Sequence, residues 1–135
     1  MHSSMFFTQS VKPSKVIVVL DRCSDRTGEI ARRFPVEIVE KTEKKWLFSY
    51  AENLEMARRR TDTPFVAIVD ADVVLEPNYF EFLLSKITEE VCCVGGKIET
   101  VSGTLLGRLL RLWERTYRVS PNRRARGCAL LVRRE

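Results

Sequence analysis

Short β-branched runs recur along this chain, each ending in a polar or acidic loop, and the stretches between them carry apolar residues at helical spacing. That alternation is the strongest restriction on its architecture, because strand and helix in turn build a layered α/β sheet rather than a bundle or an all-β sandwich. Lys15 to Leu20 reads as a buried strand, followed by the loop Asp21-Arg22-Cys23-Ser24-Asp25-Arg26-Thr27. A helix over Thr27 to Arg33 is stopped by Pro35, and Val36 to Val39 gives a second strand. Leu47 to Arg59 repeats apolar positions at helical spacing, and Phe65 to Val69 is a third strand ending at Asp70-Ala71-Asp72. Beyond Pro77, the stripe Tyr79, Phe80, Leu83, Leu84 and Ile87 predicts a helix. Val91 to Val101 holds a strand interrupted at Gly95-Gly96, Gly103 to Val119 a helix, Ser120 to Arg126 a basic loop and Cys128 to Val132 a last strand.

With 135 residues, one domain is expected over 1–135, and 44% hydrophobic against 30% charged residues is a globular balance. No apolar run approaches the roughly 20 residues of a membrane-spanning helix, and the N-terminus lacks a secretory-signal layout, so a cytoplasmic protein is expected. The net charge of +5 admits an anionic partner. It is concentrated between Gly103 and Glu135, where nine Arg face two Glu. Cys23, Cys92, Cys93 and Cys128 form no CxxC pair and the sole histidine is His2, so the thiols are expected reduced and mostly buried rather than bound to zinc.

Ligands of open α/β sheets sit at the carboxyl ends of the strands, and both acidic clusters lie there. If the chain stays extended beyond Phe65 to Val69, the Asp70 and Asp72 carboxylates point to one side and can share a divalent cation that bridges a diphosphate. Asp21, closing the first strand, can accept a hydrogen bond from a base or ribose. An isolated Asp-x-Asp also does no more than cap a helix or remain solvated. Asp25 and Thr27 are read as helix-capping residues. For Asn53 two readings stand, an exposed polar residue or a brace for the acidic loop.

The ordered set of motifs is similar to the family-two glycosyltransferases of the GT-A fold. The first loop of that family is written VVDDGSTDGT, and here Val18-Val19-Leu20-Asp21-Arg22-Cys23-Ser24-Asp25-Arg26-Thr27 stands in its place. Its Ala-x-Asn helix, followed by a strand and DAD with a proline beyond, is matched by Ala51-Glu52-Asn53, Ile68-Val69-Asp70-Ala71-Asp72 and Pro77. The resemblance implies a mostly parallel, Rossmann-like sheet sandwiched by helices, and inverting transfer of a sugar from a nucleoside-diphosphate sugar. It gives Asp21, Asn53 and Asp70 to the donor nucleotide, with Asp21 at the base and Asp70 at the ribose, and Asp72 with Asp70 to Mn²⁺ or Mg²⁺. Leu20 departs from the family by replacing the first of two aspartates.

Two further departures shape the expectation. The family's opening strand, of the type VSVIIPTYN, has no counterpart, so the sheet should lack its centre; either Met5, Phe6 and Phe7 fill part of the gap or two chains pair across it as a homodimer. The stretch Arg126 to Glu135 resembles the one just before the family's general base, so no catalytic base is assigned and the base is expected beyond Glu135. A donor-binding remnant without activity is therefore an alternative to the enzyme. A haloacid-dehalogenase-like phosphotransferase built on AIVDADVV and a basic nucleic-acid-binding module are further alternatives, with no specific nucleic acid expected. The acceptor is open, a lipid phosphate or a polysaccharide among the classes. The helix over Gly103 to Val119 has Leu105, Leu106, Leu109, Leu110, Trp113 and Tyr117 on one face and Arg108, Arg111, Arg115 and Arg118 on the other. It reads as ordinary packing on the sheet, as a grip for an acceptor phosphate, or as peripheral contact with the inner face of a membrane.

Overall fold

The computed structural model describes residues 3–97, 100–117 and 128–134, and the expected basic loop from Ser120 to Arg126 lies outside them. After a 3-10 turn at Ser3–Phe6, the elements are β1 (Ile17–Asp21), α1 (Thr27–Ala31), β2 (Glu37–Lys41), α2 (Ser49–Arg58), β3 (Phe65–Val69), α3 (Tyr79–Leu84), β4 (Cys93–Gly95), α4 (Leu105–Tyr117) and β5 (Ala129–Arg133). This is the α/β class that the alternation predicts, and it is consistent with the GT-A-like domain that the resemblance implies.

Its strands form two small sheets. β1 and β2 are parallel with Ile17 opposite Glu37 and Asp21 opposite Lys41, whereas β5 runs antiparallel to β3 on one side and β4 on the other. The expected parallel pairing is therefore confined to β1 and β2. The direction of β5 is set by two long-range contacts: the strand enters beside Asp70, whose amide donates to the Cys128 carbonyl at 2.9 Å, and leaves beside Pro64, whose carbonyl accepts from the Arg134 amide at 2.8 Å. Among the described residues β1 and β3 each have one ladder neighbour, so both present a free edge. That is the arrangement expected of a sheet without its central strand.

Two separate contacts hold the halves in place. Lys15 Nζ donates to the Arg60 carbonyl at 3.0 Å and pairs with Glu37 at 3.3 Å, while Arg60 reaches the same Glu37 at 3.1 Å. On the other side, the Arg134 guanidinium donates to the Thr61 carbonyl. The C-terminal turn of α2 is thus tied to both sheets.

The best-formed core lies under the second sheet. Leu75, Phe80 and Ala129 are buried together, with Met5, Phe6, Val69, Val73 and Tyr79 against them. Phe6 stacks on Phe80 at 6.4 Å between ring centroids. Met5 and Phe6 therefore complete the packing around α3, and the strand edges stay open. Gln9 fixes this segment: it is 2% exposed, donates from Nε2 to the Glu76 carbonyl at 2.8 Å and accepts from the Phe80 amide at 3.3 Å. Asn78 makes no side-chain cap on α3, so a residue some seventy positions away satisfies one of its first-turn amides.

Tyr79 joins three elements. Its hydroxyl donates to the Ala129 carbonyl and accepts from the Gly96 amide, each at 2.9 Å. A Cβ on Gly96 would lie 2.3 Å from the Tyr79 ring, so this glycine is needed for close approach to an aromatic side chain. The thiols depart from expectation: Cys23, Cys92 and Cys93 are exposed and Cys128 half-buried. β4 is only three residues long, so Cys92 falls outside the ladder and Cys93 at its first position is not covered.

Leu83 is fully buried, and Leu83→Ala should lower the unfolding free energy by about 2–5 kcal/mol, read from urea denaturation followed by circular dichroism. Gly96→Ala should destabilise by about 1–3 kcal/mol through overpacking against Tyr79. Combined with Tyr79→Leu it should lose less than the sum of the two single changes. Strict additivity would place the strain elsewhere.

Candidate functional site

The parallel register sets Lys41, the last residue of β2, beside Asp21, the last residue of β1. α2 lies across the ends of these strands and brings two consecutive residues, Glu52 and Asn53, onto the same ammonium. Lys41 Nζ contacts Glu52 Oε2 at 2.9 Å, Asn53 Oδ1 at 2.9 Å and Asp21 Oδ2 at 3.2 Å. An ammonium has three donors, so three acceptors satisfy it. Its side chain is only 2% exposed, and a charge taken that far out of water persists only with such partners.

Asp21 is equally engaged. Asn53 Nδ2 donates to its Oδ2 at 3.1 Å, and Arg22 Nε to its Oδ1 at 2.8 Å. Asn53 thus braces the acidic loop, which decides between its two readings. Glu52 also accepts the amides of Lys45 and Trp46, between 3.1 and 3.4 Å, and so fixes the entry into α2. Lys41 and Glu52 were invisible to motif reading. The signal that finds Lys41 is its position: a residue just beyond the apolar run of β2 faces whatever closes β1.

Arg22 sits in the left-handed region at φ 52°, uncommon for a residue with a Cβ. Its amide donates to the Lys41 carbonyl at 2.9 Å and its guanidinium reaches Ser49 Oγ at 3.4 Å. Both ends of the residue are thereby held, and the backbone turns sharply away from β1. Three residues on, Asp25 Oδ1 accepts the Thr27 amide at 3.0 Å in the turn ahead of α1, but the expected capping pair is not the cap: Arg26 holds the N-cap position without a side-chain cap hydrogen bond, and Thr27 is the first helical residue. An open cleft of about 430 Å³ lies between this loop, α1 and the end of β2, with Arg22, Cys23, Arg32 and Glu40 in its wall. Asp21, Asp70 and Asp72 do not line it.

Asp70 and Asp72 stand at the carboxyl end of β3 in a turn rather than an extended strand. The Val73 amide donates to the Asp70 carbonyl at 3.2 Å, and the backbone reverses through Ala71 and Asp72. Asp70 is half-buried and Asp72 exposed. No group of three or more His, Cys, Asp and Glu residues able to hold a metal occurs among the described residues. Two hard carboxylates in one turn nonetheless suit a Mg²⁺-like ion, which is commonly held by one or two protein carboxylates together with substrate phosphates. Tyr50, in the first turn of α2, is 54% exposed, and its hydroxyl is pushed up by burial and then by the negative charge of Asp70. α2 therefore braces Asp21 through Asn53.

The electrostatics follow from the contacts. Arg22 holds the Asp21 carboxyl well below the usual carboxylate range, with Asn53 and Lys41 reinforcing it against the effect of burial. Lys41 likewise holds Glu52 down. Burial opposes the charge of Lys41, but Glu52 and Asp21 outweigh it and raise the ammonium. The two carboxylates therefore stabilise the fold fully above about pH 4.5, and that contribution is lost as the pH falls through their depressed values. The contribution of Lys41 is complete below about pH 10.4 and is lost as the pH rises past its raised value.

Lys41→Met leaves two carboxylates facing one another with no cation between them. Its urea midpoint should lie well below wild type at about pH 7 and recover toward about pH 5, an interval over which wild type stays flat. Parallel profiles would show that Lys41 does not govern the cluster. Residues 7–130 match the model of Glycosyl transferase family 2. Among curated proteins none matches the chain significantly. The family sets aside the phosphotransferase and nucleic-acid readings, and Arg22 takes its left-handed turn where the family's first-loop pattern has glycine. With the matched span covering most of the sequence, the chain belongs to glycosyl transferase family 2, whose chemistry takes a nucleotide-sugar donor and an acceptor.

Proposed function

We propose that this chain binds a nucleoside-diphosphate sugar, together with Mn²⁺ or Mg²⁺, across the carboxyl ends of β1 and β3, for transfer of the sugar with inversion. The observation that carries the reading is the bracing of Asp21 by Arg22, Lys41 and Asn53 at the carboxyl end of β1. Asp21 keeps its charge far below neutral pH and is a permanent acceptor. Its Oδ1 receives one hydrogen bond from Arg22, and a carboxylate oxygen has room for a second, from a nucleotide base N–H. Held from three sides, the carboxylate loses little freedom when a donor binds, which favours affinity.

Asp70 is assigned to the ribose and, with Asp72, to the metal on the diphosphate. Such an ion, when bound, neutralises the charge that develops on the departing diphosphate. Asp72 is exposed and touches none of the cluster around Lys41, so its role separates cleanly from folding. Inversion further requires a carboxylate within hydrogen-bond reach of the acceptor hydroxyl, and none of the described residues is given that task. The acceptor class, lipid phosphate or polysaccharide, rests on the family alone.

Calorimetric titration with UDP and with GDP, each with and without Mn²⁺, tests the reading. Binding of one nucleotide should require the metal, weaken at least tenfold in Asp72→Ala and leave the variant's thermal unfolding unchanged. Binding indifferent to both metal and Asp72 would overturn the metal assignment. A folded chain that binds neither nucleotide would overturn the donor site.

A further inference from the structure

α4 reverses the usual orientation of an amphipathic helix. At about 100° per residue, Leu105, Leu106, Leu109, Leu110, Leu112 and Trp113 fall within an arc of about 160°. On a helix packed in a soluble domain that arc is buried. Here Leu105 is 75% exposed, Leu106 66%, Leu112 58%, Trp113 57% and Leu109 55%. The covered positions are on the polar side: Gly107 is buried and Glu114 is 8% exposed.

The segment 100–104 lies over that polar side. Glu114 accepts from the Thr100 amide at 3.2 Å and from the Thr100 hydroxyl at 2.8 Å. Arg111 donates to the Ser102 carbonyl at 3.0 Å, and a Cβ on Gly107 would lie 2.4 Å from the Ser102 side chain. Glycine at this position therefore lets the segment lie close against the helix. Ordinary packing of the leucine face on the sheet is thus not what the structure has. The single acidic side chain of α4 is turned inward, and the helix carries Arg108, Arg111 and Arg115 against it.

We propose that α4 is a surface helix for an anionic lipid bilayer, lying in the membrane plane with its leucine arc and Trp113 in the headgroup–acyl boundary and Arg108, at the edge of that arc, toward lipid phosphates. Charge selects this occupant. The stretch from Gly103 to Glu135, with nine Arg and two Glu, is repelled by a second copy of itself and attracted by a negative surface. A 13-residue helix is about 20 Å long, too short to span a bilayer and long enough to lie on one. Among the described residues no helix is long and apolar enough to cross a membrane. The inference is independent of the donor reading, since no donor residue lies on α4.

Co-sedimentation of the full chain with phosphatidylcholine vesicles, with and without phosphatidylglycerol, tests it. Binding should require the anionic lipid and weaken as salt is added. Leu109→Glu should reduce the partition at least tenfold and Arg108→Gln about fivefold, both with unchanged thermal unfolding and nucleotide binding. Equal partition onto neutral vesicles, no partition at all, or partition that Leu109→Glu leaves intact would each overturn the proposal. Light scattering without lipid supplies a further arm: a dimer that Leu109→Glu dissolves assigns the leucine face to a second copy and likewise overturns it.

Discussion

A lysine ammonium withdrawn from water organises the first half of this molecule. Desolvation makes a lone buried cation prohibitive, so Lys41 is stable only while β1 supplies Asp21 and α2 supplies Glu52 and Asn53. The requirement acts in both directions. It clamps the carboxyl ends of two parallel strands, and it fixes the rotation of α2, because neighbouring residues of one helix must both face the ammonium. Arg22 adds a second cation on the far side of Asp21, leaving a four-charge group that is neutral overall. The acidic loop is thus held by electrostatics where a larger protein would use apolar packing.

That substitution matters because the core is small. The buried apolar side chains form one good cluster under α3, reinforced by Met5 and Phe6, and a thinner one between α1 and the β1–β2 pair. Large side chains such as Leu47 and Phe48 remain exposed at 79% and 72%. The open edges of β1 and β3 belong to the same picture, since a strand with one neighbour leaves half of its backbone groups to solvent. Long-range polar contacts carry much of the connection: Gln9 caps α3 from outside, Lys15 and Arg134 tie α2 to the sheets, and the Tyr79 hydroxyl joins α3, β4 and β5.

The sequence made the elements legible because periodicity depends on nearest neighbours. Among the described residues strand and helix occur in the predicted order, with β4 covering Cys93–Gly95 of the strand expected within Val91 to Val101 and α4 beginning at Leu105, two residues after its expected start. Strand direction was less legible: whether β5 runs parallel or antiparallel depends on Cys128 and Arg134 meeting Asp70 and Pro64, contacts that span some sixty residues. The aspartates of the site were visible as motifs. Lys41 and Glu52 were not, since a lysine at a strand end and a glutamate in a helix look like solvated surface until a third element covers them. The exposed arc of α4 was hidden for the opposite reason, because amphipathicity reveals a stripe but not the side on which its partner lies.

The chain has two tryptophans, and the fold divides them between its two electrostatic systems. The Trp46 amide is bonded to Glu52 at the margin of the buried cluster, whereas Trp113 lies on the leucine arc of α4. Replacing either with phenylalanine leaves a single tryptophan, whose emission can be excited apart from that of the three tyrosines. One such protein reports by emission on the charged anchor of the acidic loop, and the other on the polarity of whatever meets the helix. The molecule thereby carries a separate optical channel for each of its two surfaces, with no external label.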